Sequence, residues 1–357
     1  MEICFDYRFF HFSEDVWHHD QVQLSHVNRR FRINILFLKT HKTGSSTVQN
    51  ILLRFALRFS LDVLLPEKNN YIAYDQPLHN KTLTGKSVPV DGKFNIFTCH
   101  SRYHPNTMNF MYDDTIRVTL LRNSSEHFES LYNFYHLDRR YKLSLEDLLR
   151  SPNKSSFSFA RGGVGDKSTN QMCHDLGLTA GQLDDSTIQA FIDYIDKEFD
   201  FVMITEYLDE CLILLADLMG WSLKYVSYLP LMTRPAAKKS NLTYADKMYL
   251  RELNRADSLI YDHFTEKFRQ RVLRYGLKPL LRDLKTLHSL NDELYAKCIS
   301  KETTKGYAGT VAYVLNSNYD WECTYAAKQE LKFIDEIREK QKIRFEREKK
   351  LLDLFSN

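Results

Sequence analysis

The sequence has no block of basic residues, no apolar run of bilayer length and no secretory leader, and each absence excludes a class of protein. Its 357 residues carry a net charge of only +3, whereas a nucleic-acid-binding protein usually has a clustered basic face. Apolar runs such as CLILLADLMGW are far shorter than the ~20 residues that span a bilayer. The first residues have neither a basic region nor an apolar core, so they do not predict a signal peptide. The sequence therefore predicts no nucleic-acid partner and only local anion recognition. Read literally it predicts a soluble chain, the alternative being a lumenal part that has lost an upstream anchor.

The six cysteines contain no CxxC pair, so the sequence predicts no zinc centre. Cys298 and Cys323 flank a loop-like segment, where they could either form a disulfide or remain free thiols. Four Asn-x-Ser/Thr triplets would permit a secretory location; they begin at Asn80, Asn123, Asn153 and Asn241.

Short apolar segments alternate with amphipathic ones along most of the chain, which predicts an α/β protein with a parallel sheet flanked by helices. The predicted strands cover residues 33–38, 94–99, 116–121 and 201–205, and the predicted helices cover 45–59, 124–137, 186–198, 206–221 and 241–275. We predict a loosely ordered lead-in over 1–30, a main domain over 31–290 and a mostly helical extension over 291–357. The extension ends in a long charged helix, which could lie on the domain or offer a coiled-coil surface to a partner.

The segment INILFLKTHKTGSSTVQNILLRF, residues 33–55, predicts a strand, a polar loop and a helix. Such a unit brings unpaired backbone N–H groups and the helix dipole to one point, which suits a phosphate. Two lysines and four hydroxyl side chains surround a single glycine in this loop. It therefore predicts a phosphate site, the alternative being a polar turn that only caps the helix.

Two nucleotide-binding patterns are missing from this loop. No lysine follows Gly44 as in G-x-x-x-x-G-K-[ST], and no G-x-G-x-x-G occurs. The strand over 116–121 ends in Arg122, where an NTPase would have a metal-binding aspartate. Arg122 and Ser130, which lies eight residues further on, could converge on a second phosphate, although a strand-end arginine is as often structural. The sequence therefore predicts a phosphate bound without a metal, and it argues against ATP hydrolysis.

These two elements together resemble the galactose-3-O-sulfotransferases. The block KTHKTGSSTVQN is specific to that family, and FTCHSRYH, NQMCHDLGL and FVMITEYLDECLILLADLMGW fit it as well, so the resemblance spans roughly residues 31–345. It implies the sulfotransferase fold, with residues 31–290 as the catalytic domain. It also implies the donor 3′-phosphoadenosine 5′-phosphosulfate (PAPS) and a type II membrane protein of the Golgi lumen, although this sequence has no anchor. By the resemblance, the donor's 5′-phosphosulfate is bound by Lys39, Thr40, His41, Lys42, Thr43, Gly44, Ser45, Ser46 and Thr47, and its 3′-phosphate by Arg122 and Ser130.

Sulfuryl transfer to an alcohol requires a cation at the leaving phosphate and a general base for the acceptor hydroxyl. Lys42 is the candidate cation. Histidine has the pKa of a base near neutrality, and we favour His100 because it follows a buried strand, with His41 as its rival. The resemblance implies transfer to the 3-hydroxyl of a terminal galactose on a glycolipid or a glycoprotein. The alternatives are a glycosaminoglycan-type O-sulfotransferase and an inactive nucleotide- or glycan-binding module; the sequence indicates no oligomeric state.

Overall fold

The computed structural model describes residues 30–73, 78–79, 83, 87–152, 154, 169–179, 184–234 and 239–355. The lead-in predicted over 1–30 lies outside these ranges except for its last residue, and so do the triplet asparagines Asn80 and Asn153. The division of the chain at residues 30 and 290 stays a prediction.

A parallel five-stranded sheet forms the centre of the described structure, which confirms the predicted α/β fold. Its strand order is β2-β3-β1-β4-β5. Ile35 of β1 is in register with Ile96 of β3 on one side and with Ile116 of β4 on the other. The strands are β1 (Ile35–Leu38), β2 (Val63–Leu64), β3 (Ile96–Phe97), β4 (Ile116–Leu121) and β5 (Phe201–Ile204). β1 and β3 are shorter than predicted, and β2 was not predicted because two residues give no periodicity.

Helices cover the sheet and continue into the extension, where a hairpin of β6 (Ile299–Thr303) and β7 (Ala312–Leu315) interrupts them. The predicted helix over 241–275 is two helices, because Asn254 leaves the helical backbone region with φ −110° and ψ 49°. The helices are α1 (Ser45–Phe59), α2 (Ser124–Phe134), α3 (Leu137–Tyr141), α4 (Leu145–Arg150), α5 (Gln171–Asp175), α6 (Asp185–Glu198), α7 (Leu208–Met219), α8 (Tyr244–Leu253), α9 (Arg255–Tyr275), α10 (Leu277–Cys298), α11 (Trp321–Ala326) and α12 (Glu330–Phe355).

The last helix, α12, lies against the β2 edge of the domain. Its apolar side chains Phe333, Ile337 and Phe345 are buried. The Gln341 side chain accepts a hydrogen bond from the backbone N–H of Val63 at 2.7 Å and donates one to its carbonyl at 2.8 Å. These bonds satisfy backbone groups at an open sheet edge, which would otherwise be unpaired. The first residue of α12 is thereby fixed close to α1.

Cys298 at the end of α10 and Cys323 in α11 form a disulfide. Of the two alternatives that the sequence left open, a disulfide or two free thiols, the structure has the disulfide. Cys99, Cys173 and Cys211 are buried free thiols. Within the described ranges, no helix combines the length and the apolarity that crossing a membrane requires.

Candidate active site

The loop between β1 and α1, residues 39–47, is called the phosphate loop below. Lys42 and Gly44 both adopt left-handed backbone conformations, with φ 56° and φ 80°. A Cβ on Gly44 would have ordinary contacts, the nearest at 3.8 Å from Thr205, so the glycine is needed for its conformation rather than for space. No side chain caps α1, and its first turn contains no acidic residue. The N–H groups at this helix end are therefore suited to an anion.

The hydroxyl groups of Thr40, Thr43 and Ser45 form hydrogen bonds that hold the phosphate loop in its conformation. The Thr40 hydroxyl lies 2.8 Å from that of Thr43 and donates to the Leu120 carbonyl at 2.5 Å. Ser45 donates to the Thr40 carbonyl at 2.8 Å. All three side chains are buried, and so is Thr47. The residues of the phosphate loop that are not buried are Lys42, Gly44 and Ser46.

Lys39 is nearly inaccessible and is neutralised by an acid from the far end of the chain. Its Nζ lies 3.1 Å from the Glu330 carboxylate and 3.0 Å from the Ser46 hydroxyl. Burial alone would raise the pKa of Glu330, but the Lys39 charge and the hydrogen bonds from Ser46, Lys39 and Asn70 outweigh it and lower that pKa. Glu330 is therefore a carboxylate at neutral pH. Sequence reasoning missed it because 291 residues separate it from Lys39.

Among the residues that the structure describes, no acidic side chain forms an ion pair with Lys42. Its Nζ lies 3.4 Å from the centre of the Phe134 ring, a cation–π contact. Burial first, and then the charges of three neighbouring cations, lower its pKa from 10.5 to about 7, although Glu330 acts in the opposite direction. Those cations are Lys39, Arg122 and Arg234. The neighbouring cations thus disfavour a further proton on Lys42, and an anionic ligand beside the amine would relieve that repulsion.

The predicted second phosphate site adjoins the same loop. Arg122 follows β4 and donates from Nη1 to the Lys42 carbonyl at 3.1 Å. Burial is the main cause that lowers the pKa of its guanidinium. Ser130 lies in α2 and is buried. Arg234 pairs with the buried Glu129 of α2; sequence reasoning missed this arginine because no motif surrounds it.

His41, His100 and Tyr71 form a stack of rings beside the phosphate loop. The ring centres of His41 and His100 are 4.1 Å apart, and those of Tyr71 and His100 are 5.0 Å apart. Asp175, at the end of α5, accepts two hydrogen bonds from His41, one from its backbone N–H and one from Nδ1, each at 2.8 Å. The Tyr71 hydroxyl lies 3.2 Å from Nε2 of His41. A carboxylate on Nδ1 makes Nε2 the nitrogen that can accept a proton, as in an oriented catalytic base.

His100 has different partners. Its Nδ1 donates to the Lys39 carbonyl at 2.8 Å. Burial, and then the charges of His41 and Lys39, lower its pKa well below 6.5, so this imidazole is neutral. The sequence favours His100 as the base and names His41 as its rival; of the two, His41 is the one with a hydrogen bond to a carboxylate. Asp175 lies in the quoted segment NQMCHDLGL and could have been proposed from it.

His127 supports the loop from α2. Its Nε2 donates to the His41 carbonyl at 2.8 Å, and burial is the main cause that lowers its pKa to about 4. It therefore acts as a neutral hydrogen-bond donor that fixes the backbone at His41. In the described part of the chain, no group of three or more His, Cys, Asp and Glu side chains could hold a metal ion.

A parallel sheet whose strand ends carry a lysine-containing loop, a strand-end arginine and a histidine paired with a carboxylate defines an α/β protein with a site suited to an anion. The chain matches the galactose-3-O-sulfotransferase family over residues 18–312. It belongs to that family.

Individual relatives are similar at about the same level. Galactose-3-O-sulfotransferase 3 of Bos taurus is 31% identical over 283 residues, covering 76% of this chain and 65% of the relative. Galactosylceramide sulfotransferase of Homo sapiens is 31% identical over 283 residues, covering 75% of this chain and 64% of the relative. Galactose-3-O-sulfotransferase 2 of Homo sapiens is 31% identical over 273 residues, covering 74% and 68%. The chain thus spans about 65% of the length of the first of these relatives.

Proposed function

We propose that this protein transfers a sulfuryl group from PAPS to the 3-hydroxyl of a terminal galactose on a glycolipid or glycoprotein glycan. The observation that carries the proposal is that the cations around Lys42 and the His41–Asp175 pair meet at one edge of the sheet. The names of the relatives, which include both a galactose-3-O-sulfotransferase and a galactosylceramide sulfotransferase, support a galactose acceptor.

PAPS suits the charges of this site. Its 5′-phosphosulfate would meet Lys42, the Ser46 hydroxyl and the N–H groups that begin α1, while Arg122 and Ser130 would bind its 3′-phosphate. Charge-assisted hydrogen bonds of this kind are stronger than neutral ones. The depressed pKa of Lys42 supports this arrangement, because a phosphate beside the amine would relieve the repulsion from the neighbouring cations.

The transfer step can be written with the residues present. The galactose O3 forms a bond to sulfur, its proton passes to Nε2 of His41, and the bond between sulfur and the 5′-phosphate oxygen breaks. Asp175 holds the His41 ring and stabilises the imidazolium that results. Lys42 stabilises the charge that develops on the leaving phosphate. The Tyr71 hydroxyl, which now faces Nε2, marks the position from which an acceptor hydroxyl could approach.

We also propose a Golgi lumenal location, as the resemblance implies. The disulfide between Cys298 and Cys323 supports an oxidising compartment, because disulfides seldom persist in the cytosol.

The proposal is tested by incubating the protein with ³⁵S-labelled PAPS and a panel of acceptors. The panel contains galactosylceramide, N-acetyllactosamine and a heparan oligosaccharide. We expect label on one or both galactosides, and we expect Lys42→Ala to lower the rate by roughly 10²–10³-fold, as is typical when a group that stabilises developing charge is removed. Labelling of the heparan oligosaccharide alone, or no transfer to any acceptor, would contradict the proposal.

A further inference from the structure

Glu330 places a carboxylate on the phosphate loop itself. It is the first residue of α12, and its side chain accepts hydrogen bonds from Lys39 Nζ, the Ser46 hydroxyl and Asn70 Nδ2. Its side chain is 19% exposed. Because Ser46 is the second residue of α1, this carboxylate lies at the helix end that otherwise suits a phosphate. The protein's own anion therefore adjoins the place assigned to the donor.

The hydrogen bonds at Ser46 cannot all persist when a donor binds. A serine hydroxyl carries one proton, and that of Ser46 accepts from Lys39 and donates to Glu330. It cannot also donate to a phosphate. A carboxylate and a phosphate at the same helix end also repel each other. Donor binding and the Ser46–Glu330 bond are thus alternatives.

The helix that carries Glu330 is too firmly anchored to be the moving part. Phe333 and Ile337 are buried one and two turns further along α12, and Arg338 donates to the carbonyls of Pro66 and Asn69 at 2.6 and 2.8 Å. The exchange therefore requires only rotation of the Glu330 side chain.

We propose that Glu330 is a resident counter-ion of the donor site. It holds Lys39 and Ser46 in the empty protein, and when the donor binds, the Ser46 hydroxyl donates its hydrogen bond to the 5′-phosphate instead of to Glu330. The inference rests on the proposed function, because it assumes that the phosphate loop binds PAPS. Its consequence is that Glu330 weakens donor affinity while keeping the buried Lys39 paired. Leaving that lysine without a partner would destabilise the empty protein.

The test is the affinity for 3′-phosphoadenosine 5′-phosphate (PAP), the product that PAPS leaves, measured by calorimetry. Glu330→Gln removes the charge and keeps the shape, so it should lower the Kd of PAP about three- to tenfold, since a like charge is removed from beside the phosphate. Glu336→Gln is the matched control, because Glu336 lies in the same helix but binds Lys328 and Lys340 instead of the loop. The Kd of PAP for Glu336→Gln should equal that for the wild type.

A double-mutant cycle separates this exchange from a general change in charge. In a Ser46→Ala background the gain in PAP affinity from Glu330→Gln should be smaller, because the hydroxyl for which Glu330 and the phosphate compete is gone. Should Glu330→Gln fail to fold, Glu330→Asp replaces it: the shorter side chain withdraws from Ser46 and should also lower the Kd, by less. A Kd that is unchanged or raised in the folded variant would overturn the inference.

The two proposals fail in different ways. If the wild type does not bind PAP, or if Lys42→Ala binds it equally well, the phosphate loop is not the donor site and both proposals fall. If Lys42→Ala loses PAP but removal of the Glu330 charge brings no gain, only the role of Glu330 is refuted.

Discussion

Binding of PAP should weaken as the pH rises above 7, because Lys42 must carry a proton to meet a phosphate. Its pKa in the free protein is about 7, lowered first by burial and then by the neighbouring cations. A phosphate beside the amine would raise that pKa toward its ordinary value near 10.5. Binding therefore takes up a proton whenever the pH exceeds 7, and the affinity must fall in that range.

The size of the effect follows from this shift. While the free amine is neutral and the bound one is charged, each pH unit lowers the affinity up to about tenfold, or ~1.4 kcal/mol. Between pH 7 and pH 9 the Kd of PAP should thus rise by as much as ~100-fold. The ligand itself adds little above pH 7, because the second pKa of a phosphate monoester is about 6. The same linkage makes the empty protein more stable as the pH rises above 7, since there the unfolded chain binds more protons at Lys42.

The assay is calorimetric titration with PAP at pH 7, 8 and 9, repeated in two buffers with different enthalpies of ionisation so that proton uptake is counted. Lys42→Arg is the matched control, because a guanidinium stays charged throughout this range. It should remove the pH dependence even if it changes the affinity at pH 7. A wild-type Kd that is flat from pH 7 to pH 9, or an equal slope in Lys42→Arg, would refute this account of Lys42.

Three further predictions concern the base, the second phosphate and the disulfide. Asp175→Asn should lower kcat by at least about 10²-fold, because the His41 ring loses the carboxylate that sets its tautomer; a comparable loss in His100→Ala but not in His41→Ala would make His100 the base. Arg122→Ala should raise the KM for PAPS and reduce the preference for PAP over adenosine 5′-phosphate, through loss of a charge-assisted contact; an unchanged preference would remove Arg122 from the donor site. Replacing both disulfide cysteines by alanine should lower the free energy of unfolding by roughly 3 kcal/mol, measured in urea, because the bridge closes a loop of 25 residues; equal midpoints for the variant and the oxidised wild type would contradict this.

Local patterns predicted the parts of the fold that rest on local physics. The predicted bounds of α1 and β4 match the structure. In each case the regular spacing of apolar residues in the sequence starts beside a residue that ends the preceding element. Gly44, at the start of α1, is such a residue. The position of the loop between β1 and α1 was predictable for the same reason.

The partners that complete the site were beyond local patterns. Asp175 reaches His41 across 134 residues, and Glu330 reaches Ser46 across 284. Such pairs depend on how α5 and α12 dock on the sheet, which no periodicity encodes. The choice between His100 and His41 depends on the same long-range contacts, since both histidines follow strands at one sheet edge.

The central claim is transfer to the 3-hydroxyl of galactose, and a pair of acceptors that differ in one oxygen tests it most directly. The protein is incubated with ³⁵S-labelled PAPS and either methyl β-lactoside or its analogue with a 3-deoxygalactose. The account predicts label on the lactoside alone, and its loss in His41→Ala. Equal labelling of the 3-deoxy analogue would place the sulfate on another hydroxyl and contradict the account.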